Sequence, residues 1–537
     1  MQAFINKYKI ILVYAISIAF IALNVYLIAH DKYYALLTPI ILVFFFLYIF
    51  SLDKLIMLIT FLTPLAINYK DPELGVGISL PAEPLMLGVL VIFILKIFYD
   101  GGYNKKIVNH PVSIVILINL VWILITTITS ELPLVSIKFL IAKLWFIVPF
   151  YFIGIMIFRD LKNIKRFNWL YIIPLIGIII YTLFNHAGYG FDKPHSNMVM
   201  KPFYNDHTAY GAVIAMFIPF FAGLSLSRDY TNSKRIGTFI VLFMLLLGLI
   251  FSYSRAAWIS VSFAVMVFGV IWLRIKFRYV VLGIAVLAGL FYIFSFQFIA
   301  RLERNKQDSS TDFLEHIQSM SNISSDASNL ERINRWNCAI RMYEERPFLG
   351  WGPGTYQFAY APFQRSKEKT IISTNVGDMG NAHSEYLGPL SESGILGMLT
   401  FIAIVIATSI TGLRVYKRGK TKEVRLISLL IVLGLMSYFA HGLLNNFVDS
   451  YKASVPFWGV IGIVVWFPQF LTVLSGTIPV MLLLGGALAI YLGVDELKDT
   501  WKEAETPASD SEPGEDVEHY KKEIDELKEE IETLKKE

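Results

Sequence analysis

Residues 110–129 read His-Pro-Val-Ser-Ile-Val-Ile-Leu-Ile-Asn-Leu-Val-Trp-Ile-Leu-Ile-Thr-Thr-Ile-Thr, without a single Lys, Arg, Asp or Glu. A helix of roughly 20 such residues crosses the hydrocarbon core of a bilayer. In lipid the backbone must satisfy its own hydrogen bonds, and a helix does so within one segment. The stretch therefore predicts a membrane-spanning α-helix. Working outward, similar runs recur near 9–29, 33–51, 54–68, 83–98, 138–158, 168–184, 209–227, 236–253, 256–273, 279–297, 394–412, 426–446, 454–470 and 477–493. The run at 54–68 is short and the last two are weakly separated. The expectation is an all-α integral membrane protein of 12–15 spans, about 14. Composition agrees: of 537 residues, 55% are hydrophobic and only 17% charged. A soluble domain carries roughly 25% charged residues, so ordinary soluble and disordered classes are excluded. Met1 to Ala29 reads as a first span rather than a cleavable signal peptide, because its apolar run is long and lacks a clear small-residue cleavage site.

Charge orients the spans. With the N-terminus inside, the short inner segments hold 21 Lys and Arg and the short outer loops hold 6. The positive-inside rule then places the N-terminus in the cytoplasm and the large polar segment 300–393 on the outer face. Four parts follow: spans over 1–299, the outer loop 300–393, spans over 394–493, and an acidic segment 494–537. The net charge of +5 divides unevenly, because residues 494–537 carry 7 basic and 17 acidic side chains. Val517, Tyr520, Ile524, Leu527, Ile531 and Leu534 recur there at heptad spacing. That predicts a short amphipathic helix, either solvated or self-associating through 517–534. Cys338 is the one cysteine, so no disulfide forms within the chain.

Chemistry requires polar groups near the membrane surface. Arg255, in Phe251-Ser-Tyr-Ser-Arg-Ala-Ala-Trp258, lies between two spans. Its guanidinium either snorkels to headgroups or faces an interior site, where its planar fork suits phosphate oxygens. In the outer loop, Leu330-Glu-Arg-Ile-Asn-Arg-Trp336 places Arg332 and Arg335 on a predicted helix with the apolar set Ile333, Trp336, Ile340 and Tyr343. Gly350-Trp-Gly-Pro-Gly354 then breaks the helix and exposes N–H groups that could line an anion site. His383 sits in Gly380-Asn-Ala-His-Ser-Glu-Tyr-Leu-Gly-Pro-Leu-Ser-Glu-Ser-Gly394, at helical spacing with Tyr386, Leu387 and Leu390. An imidazole can accept a proton at neutral pH, although a loop histidine is also commonly just solvated. Asn381 and Glu385 are its polar neighbours, and Glu392 caps the coming helix or serves the site. Asn205 is expected to N-cap the helix that begins near 209, with His207 in its first turn. No metal-ligand spacing, Walker loop or dinucleotide fingerprint occurs, so no metal or cofactor is expected. The substrate must then arrive already activated.

Ser254-Arg-Ala-Ala-Trp258, Arg332-x-x-x-Trp336, Pro347-Phe-Leu-Gly-Trp-Gly-Pro-Gly-Thr-Tyr356 and Asn381-Ala-His-Ser-Glu-Tyr-Leu-Gly-Pro-Leu-Ser-Glu-Ser-Gly-Ile-Leu-Gly397 occur in that order. Together they resemble the O-antigen ligase and polymerase superfamily over roughly residues 195–465. The resemblance implies a polytopic GT-C type glycosyltransferase that takes a glycan from undecaprenyl pyrophosphate at the outer face of the bacterial inner membrane. Implied acceptors are lipid A–core for a ligase, a growing glycan for a polymerase, or a protein hydroxyl. It further implies His383 as general base and Arg255 and Arg332, with Arg335 in reserve, against the pyrophosphate charge. Asn381 or Glu385 would orient the imidazole. Membrane lipids are the other expected partner, and no nucleic acid is. The acidic segment is foreign to this pattern. A polysaccharide transporter or flippase and a membrane scaffold are the competing classes, but no internal repeat points to a transporter.

Overall fold

The computed structural model describes residues 2–70, 77–276, 278–290 apart from 284, 287 and 288, 327–370, 373–374, 380–466, 522–526 and 528. The chain divides into two units, Met1–Val473 and Leu474–Glu537. Of the second unit only helical turns at 522–526 and 528 are described, with an ion pair between Lys528 and Asp525 at 3.3 Å. The rest of the heptad segment and the expected span at 477–493 lie outside the described residues, as do most of the expected span at 279–297 and loop residues 300–326.

Among its described residues the first unit is helical but for one hairpin. Among the described residues, nine helices are long and apolar enough to cross a membrane. They are α4 (Ala82–Asp100), α5 (Pro111–Ile128), α6 (Pro133–Ile157), α7 (Leu161–Ala187), α8 (His207–Leu226), α9 (Asn232–Ile250), α10 (Arg255–Trp272), α12 (Leu387–Arg418) and α13 (Lys422–His441). Shorter or partly apolar helices are α1 (Gln2–Ile28), α2 (Thr38–Phe50), α3 (Leu52–Leu65) and α14 (Tyr451–Trp466), and α11 (Ala327–Glu345) lies in the large polar loop. The protein is a multi-pass membrane protein. The expected span at 54–68 ends early, at Leu65, and the chain turns into β1 (Ile67–Lys70), which pairs antiparallel with β2 (Gly77–Leu80). Four-residue strands carry too short an alternation to be read from sequence.

The apolar faces of α1 and α2 point outward, with Ile11, Tyr14, Phe46 and Phe50 all exposed. In water this would be a liability; in lipid it is the expected surface. The enclosed centre is α8 against α13, with α10 beside both. Lipid tails are as apolar as leucine, so close packing of small residues drives this association. Gly434 permits it: a Cβ there would meet the Met216 carbonyl oxygen at 2.5 Å. Ser437 of α13 donates to the Ala215 carbonyl of α8 at 3.3 Å and lies 3.2 Å from the Ser260 hydroxyl of α10.

One feature of α12 positions the site. The helix is broken at Gly394, whose φ of 68° and ψ of −169° leave a short inner piece before a long one. A Cβ at Gly394 would meet the Phe348 carbonyl oxygen at 2.0 Å, so glycine is required both by φ and by the approach of the 347–356 loop. The broken turn is satisfied from outside: Ile395 N–H donates to Pro347 O at 2.9 Å, and Trp122 Nε1 donates to Ser393 O at 2.7 Å.

Candidate functional site

The loop after α11 is wound onto the broken turn. Trp351 N–H donates to Ser391 O at 3.1 Å and Gly352 N–H to Glu392 O at 2.8 Å. The Glu392 carboxylate accepts from Tyr356 N–H at 3.0 Å and from the Gly354 backbone. Gly350 N–H is used by Arg346 O and Thr355 N–H by Gly352 O. The Gly-Trp-Gly-Pro-Gly turn therefore offers no anion site. Its N–H groups are spent on the main chain and on Glu392, the anion they hold. Glu392 is likewise no N-cap of its own helix, because it lies within α12 and faces the loop. A small second core of Cys338, Ala339, Met342, Tyr356, Tyr360 and Ala382 sits beneath this clamp.

Helix α11 forms as its spacing predicts, but the opposite face is buried. Glu331, Asn334, Arg335, Cys338 and Met342 point inward, while Ile340 is exposed. A polar face turned inward is possible because its groups pair. Arg335 Nε donates to Glu331 Oε1 at 2.6 Å, its second terminal nitrogen donates to Thr374 at 3.0 Å, and its guanidinium lies 3.9 Å from the Tyr360 ring centre. The charge of Arg335 is thus balanced within the loop. Arg332, one residue round the helix from Glu331, donates to Asn329 at 3.0 Å, and its charge is felt by His207, His383 and His441.

His383 precedes α12 rather than lying on its face with Tyr386 and Leu390. Its φ is 49°, a left-handed conformation uncommon outside glycine. Two bonds hold it there: its N–H donates to Asn381 Oδ1 at 3.0 Å, and its carbonyl accepts from Trp336 Nε1 at 3.2 Å. Asn381 therefore sets the backbone of His383 and not its ring. Asn445 is among the groups that face the His383 ring, and it lies 3.3 Å from His441 Nε2. Glu385 does not orient the imidazole either. Its Oε1 accepts from Tyr438 Oη at 2.9 Å, Phe447 N–H at 2.6 Å and Val448 N–H at 2.8 Å. It staples the connection between α13 and α14 to the start of α12, and burial raises its pKa.

The other predicted residues divide. Asn205 is exposed, and Asp206, not Asn205, caps α8 by accepting from Thr208 N–H at 2.8 Å. The aspartate is adjacent to the helix, in the position from which a side-chain oxygen reaches N2. His207 follows it at the start of α8, its Nδ1 enclosed without a hydrogen-bond partner. Arg255 is the first residue of α10, behind the Ser254 cap and the left-handed Tyr253 (φ 51°). Its neighbour Ala256 contributes a backbone hydrogen bond to the ring of His441.

The result is one cluster at one end of the bundle. The starts of α8 and α10, helix α11, the loop before α12 and the end of α13 contribute Asp206, His207, Arg332, His383, His441 and Asn445, with Arg255 beside Ala256. Burial first, then the charges of Arg332 and Arg335, hold the His383 imidazole down to about 4, against 6.5 ordinarily. It is therefore neutral at physiological pH and carries an available lone pair. Among the described residues no group of three His, Cys, Asp or Glu side chains is placed to hold a metal ion. His441 and Asn445 were not singled out from sequence. His441 ends an apolar span and no motif surrounds it, so only its neighbours in space reveal it.

Comparison with known proteins adds the family. Residues 239–402 match the family model described as O-antigen ligase, a segment that contains Arg255, Arg332, Arg335, Asn381, His383, Glu385 and Glu392. This supports membership of the O-antigen ligase superfamily. Residues 453–499 match a model described as the magnetosome MamI protein family. No curated protein matches.

Proposed function

We propose, from its place in the O-antigen ligase superfamily, that this protein transfers a glycan from undecaprenyl pyrophosphate to an acceptor hydroxyl at the outer face of the bacterial inner membrane. The coarser statement, a glycosyltransferase-like ligase or polymerase, comes with the family match. The observation that supports the finer one is a buried His383 imidazole within the field of Arg332. A glycosyl pyrophosphate is already activated, so the enzyme needs a base for the acceptor and positive charge for the leaving group.

In this reading the acceptor oxygen attacks the anomeric carbon as His383 removes its proton. The bond from that carbon to the pyrophosphate oxygen breaks, and undecaprenyl pyrophosphate departs with the electron pair. A single displacement inverts the anomeric centre. Arg332 and Arg255 meet the charge that grows on the pyrophosphate. Arg335, paired with Glu331, supports the loop and leaves this task to its neighbour. The ligase is preferred over the polymerase because the His-Glu-Gly string of 383–394 is its clearest marker.

The test is transfer by purified protein from an undecaprenyl-pyrophosphate-linked glycan. His383→Ala and Arg255→Ala should each abolish transfer while the protein still inserts. Full transfer by both variants would end the assignment. Donor consumption in detergent also separates this reading from a flippase, which consumes none.

A further inference from the structure

At the end of the bundle away from the histidines, α3 and α7 begin side by side. Lys452 Nζ donates to Pro64 O at 2.9 Å, which ties the far end of α3 to the start of α14, and a short connection joins α14 to His441. The far end of α7 leads through a loop to His207. The starts of both helices therefore lie at the opposite end. Between them is a cavity of about 280 Å³. Helix α3 lends it Lys54, Leu58 and Phe61, and α7 lends it Asn163, Arg166 and Leu170. These spacings of three and four keep each set on one helix face. Each set runs through about 10 Å of helix, from polar to apolar in the same direction. Lys54 and Arg166 are exposed, whereas Leu58, Phe61 and Leu170 are half-buried. The cavity is thus a groove with two cations at its mouth and hydrocarbon along its length.

Asn163 holds one of the cations. Its Nδ2 donates to Ile157 O at 3.0 Å, and its Oδ1 accepts from Arg166 at 3.4 Å. A guanidinium has five N–H donors, so this bond leaves others for a phosphate. Asp53 lines the same mouth. Two cations against one carboxylate leave a charge of +1 there. We propose that this groove binds an anionic glycerophospholipid of the adjoining leaflet. Its phosphate sits between Lys54 and Arg166, a headgroup hydroxyl donates to Asp53, and an acyl chain lies along Leu58, Phe61 and Leu170. The apolar length lies at bilayer depth, where a chain fills it whichever headgroup sits above. Selection therefore belongs to the mouth, whose charge a monoanionic phosphodiester cancels and a zwitterion does not. The site asks nothing of glycan transfer, so it stands or falls apart from the reading above.

The test is native mass spectrometry of the intact protein released from nanodiscs that mix phosphatidylglycerol with phosphatidylcholine. Wild type should keep a bound phosphatidylglycerol and no phosphatidylcholine in its place. Lys54→Ala combined with Arg166→Ala should weaken that binding roughly 30-fold, at about fivefold per cation near an anionic surface. Lys417→Ala combined with Lys420→Ala removes two cations from the same end of the bundle but outside the cavity, and should bind as wild type. Equal losses in the two double variants would reduce the effect to the general charge of that surface and reject the site. Equal retention of phosphatidylcholine by wild type would also reject it. Glycerol 3-phosphate, which has phosphate and hydroxyls but no chains, should not displace the lipid. Displacement would mark a site for soluble phosphates and overturn the lipid assignment.

Discussion

Removing the Glu392 side chain should open the 347–356 loop without touching the reacting groups. The Glu392 carboxylate accepts the Tyr356 N–H at 3.0 Å and the Gly354 backbone N–H. In Glu392→Ala both donors lose their partner inside the clamp. Each unsatisfied enclosed N–H costs about 1–3 kcal/mol, so the loop should lose roughly 2–6 kcal/mol of local stability. Glu392→Gln keeps one carbonyl oxygen and should lose about half as much. The assay is amide hydrogen exchange of the peptide covering residues 350–358, read by mass spectrometry in detergent micelles. Exchange follows the free energy of local opening, so rates there should rise roughly 30-fold to 10⁴-fold in the alanine variant. Peptides from α8 and α13 should be unchanged. Transfer should fall in proportion to loop opening, with glutamine retaining more activity than alanine. Wild-type exchange in Glu392→Ala would refute the clamp. If Glu392→Gln exchanges normally yet has lost transfer as fully as Glu392→Ala, the carboxylate acts in the chemistry rather than in the loop.

The two arginines of α11 should separate. Arg332→Lys keeps the charge but loses the fork, and should cut transfer by roughly 10²–10³-fold with unchanged thermal unfolding; Arg335→Ala strands Glu331 and should destabilise the loop by about 3–5 kcal/mol, read by local exchange. His383, held at about 4 in the folded protein, gives a pH dependence of known sign. Its contribution to stability is full above its unfolded value of about 6.5 and is lost as pH falls from there toward about 4; thermal unfolding across that window checks this, and a flat profile in wild type with no difference from His383→Gln would contradict it. Deleting residues 507–537 should leave transfer largely intact, and loss of all activity on deletion would instead favour an assembly role for the acidic segment.

The spans were legible because lipid imposes a simple rule. A run such as 110–129 has no alternative to a helix, and α5 forms over Pro111–Ile128. Arg332 and His383 were singled out by type and order, since guanidinium and imidazole suit phosphate and proton transfer. How the neighbouring polar groups pair was not legible. The spacing of Ile333, Trp336, Ile340 and Tyr343 suggested an inward apolar face, but α11 buries Glu331 and Arg335, whose mutual pairing offsets the cost of enclosing them. Sequence cannot reveal that a charge will be matched by its own helix one turn away and by Tyr360 from another segment. The turn at 350–354 suggested open N–H groups for the same reason: their acceptor, Glu392, lies 36 positions from Tyr356 in the chain.

By itself, then, the amino-acid order determined a helical membrane protein, its principal spans and the position of its large polar loop. These follow from local properties, namely hydropathy over one helix length and the charge of short segments. Only the tertiary structure decided that Asp206 rather than Asn205 caps α8, that Arg335 pairs with Glu331 and lies over Tyr360, and that Glu385 binds the chain between α13 and α14. Each of those depends on which side chain meets which across distant elements, and no periodicity in the chain encodes such a meeting.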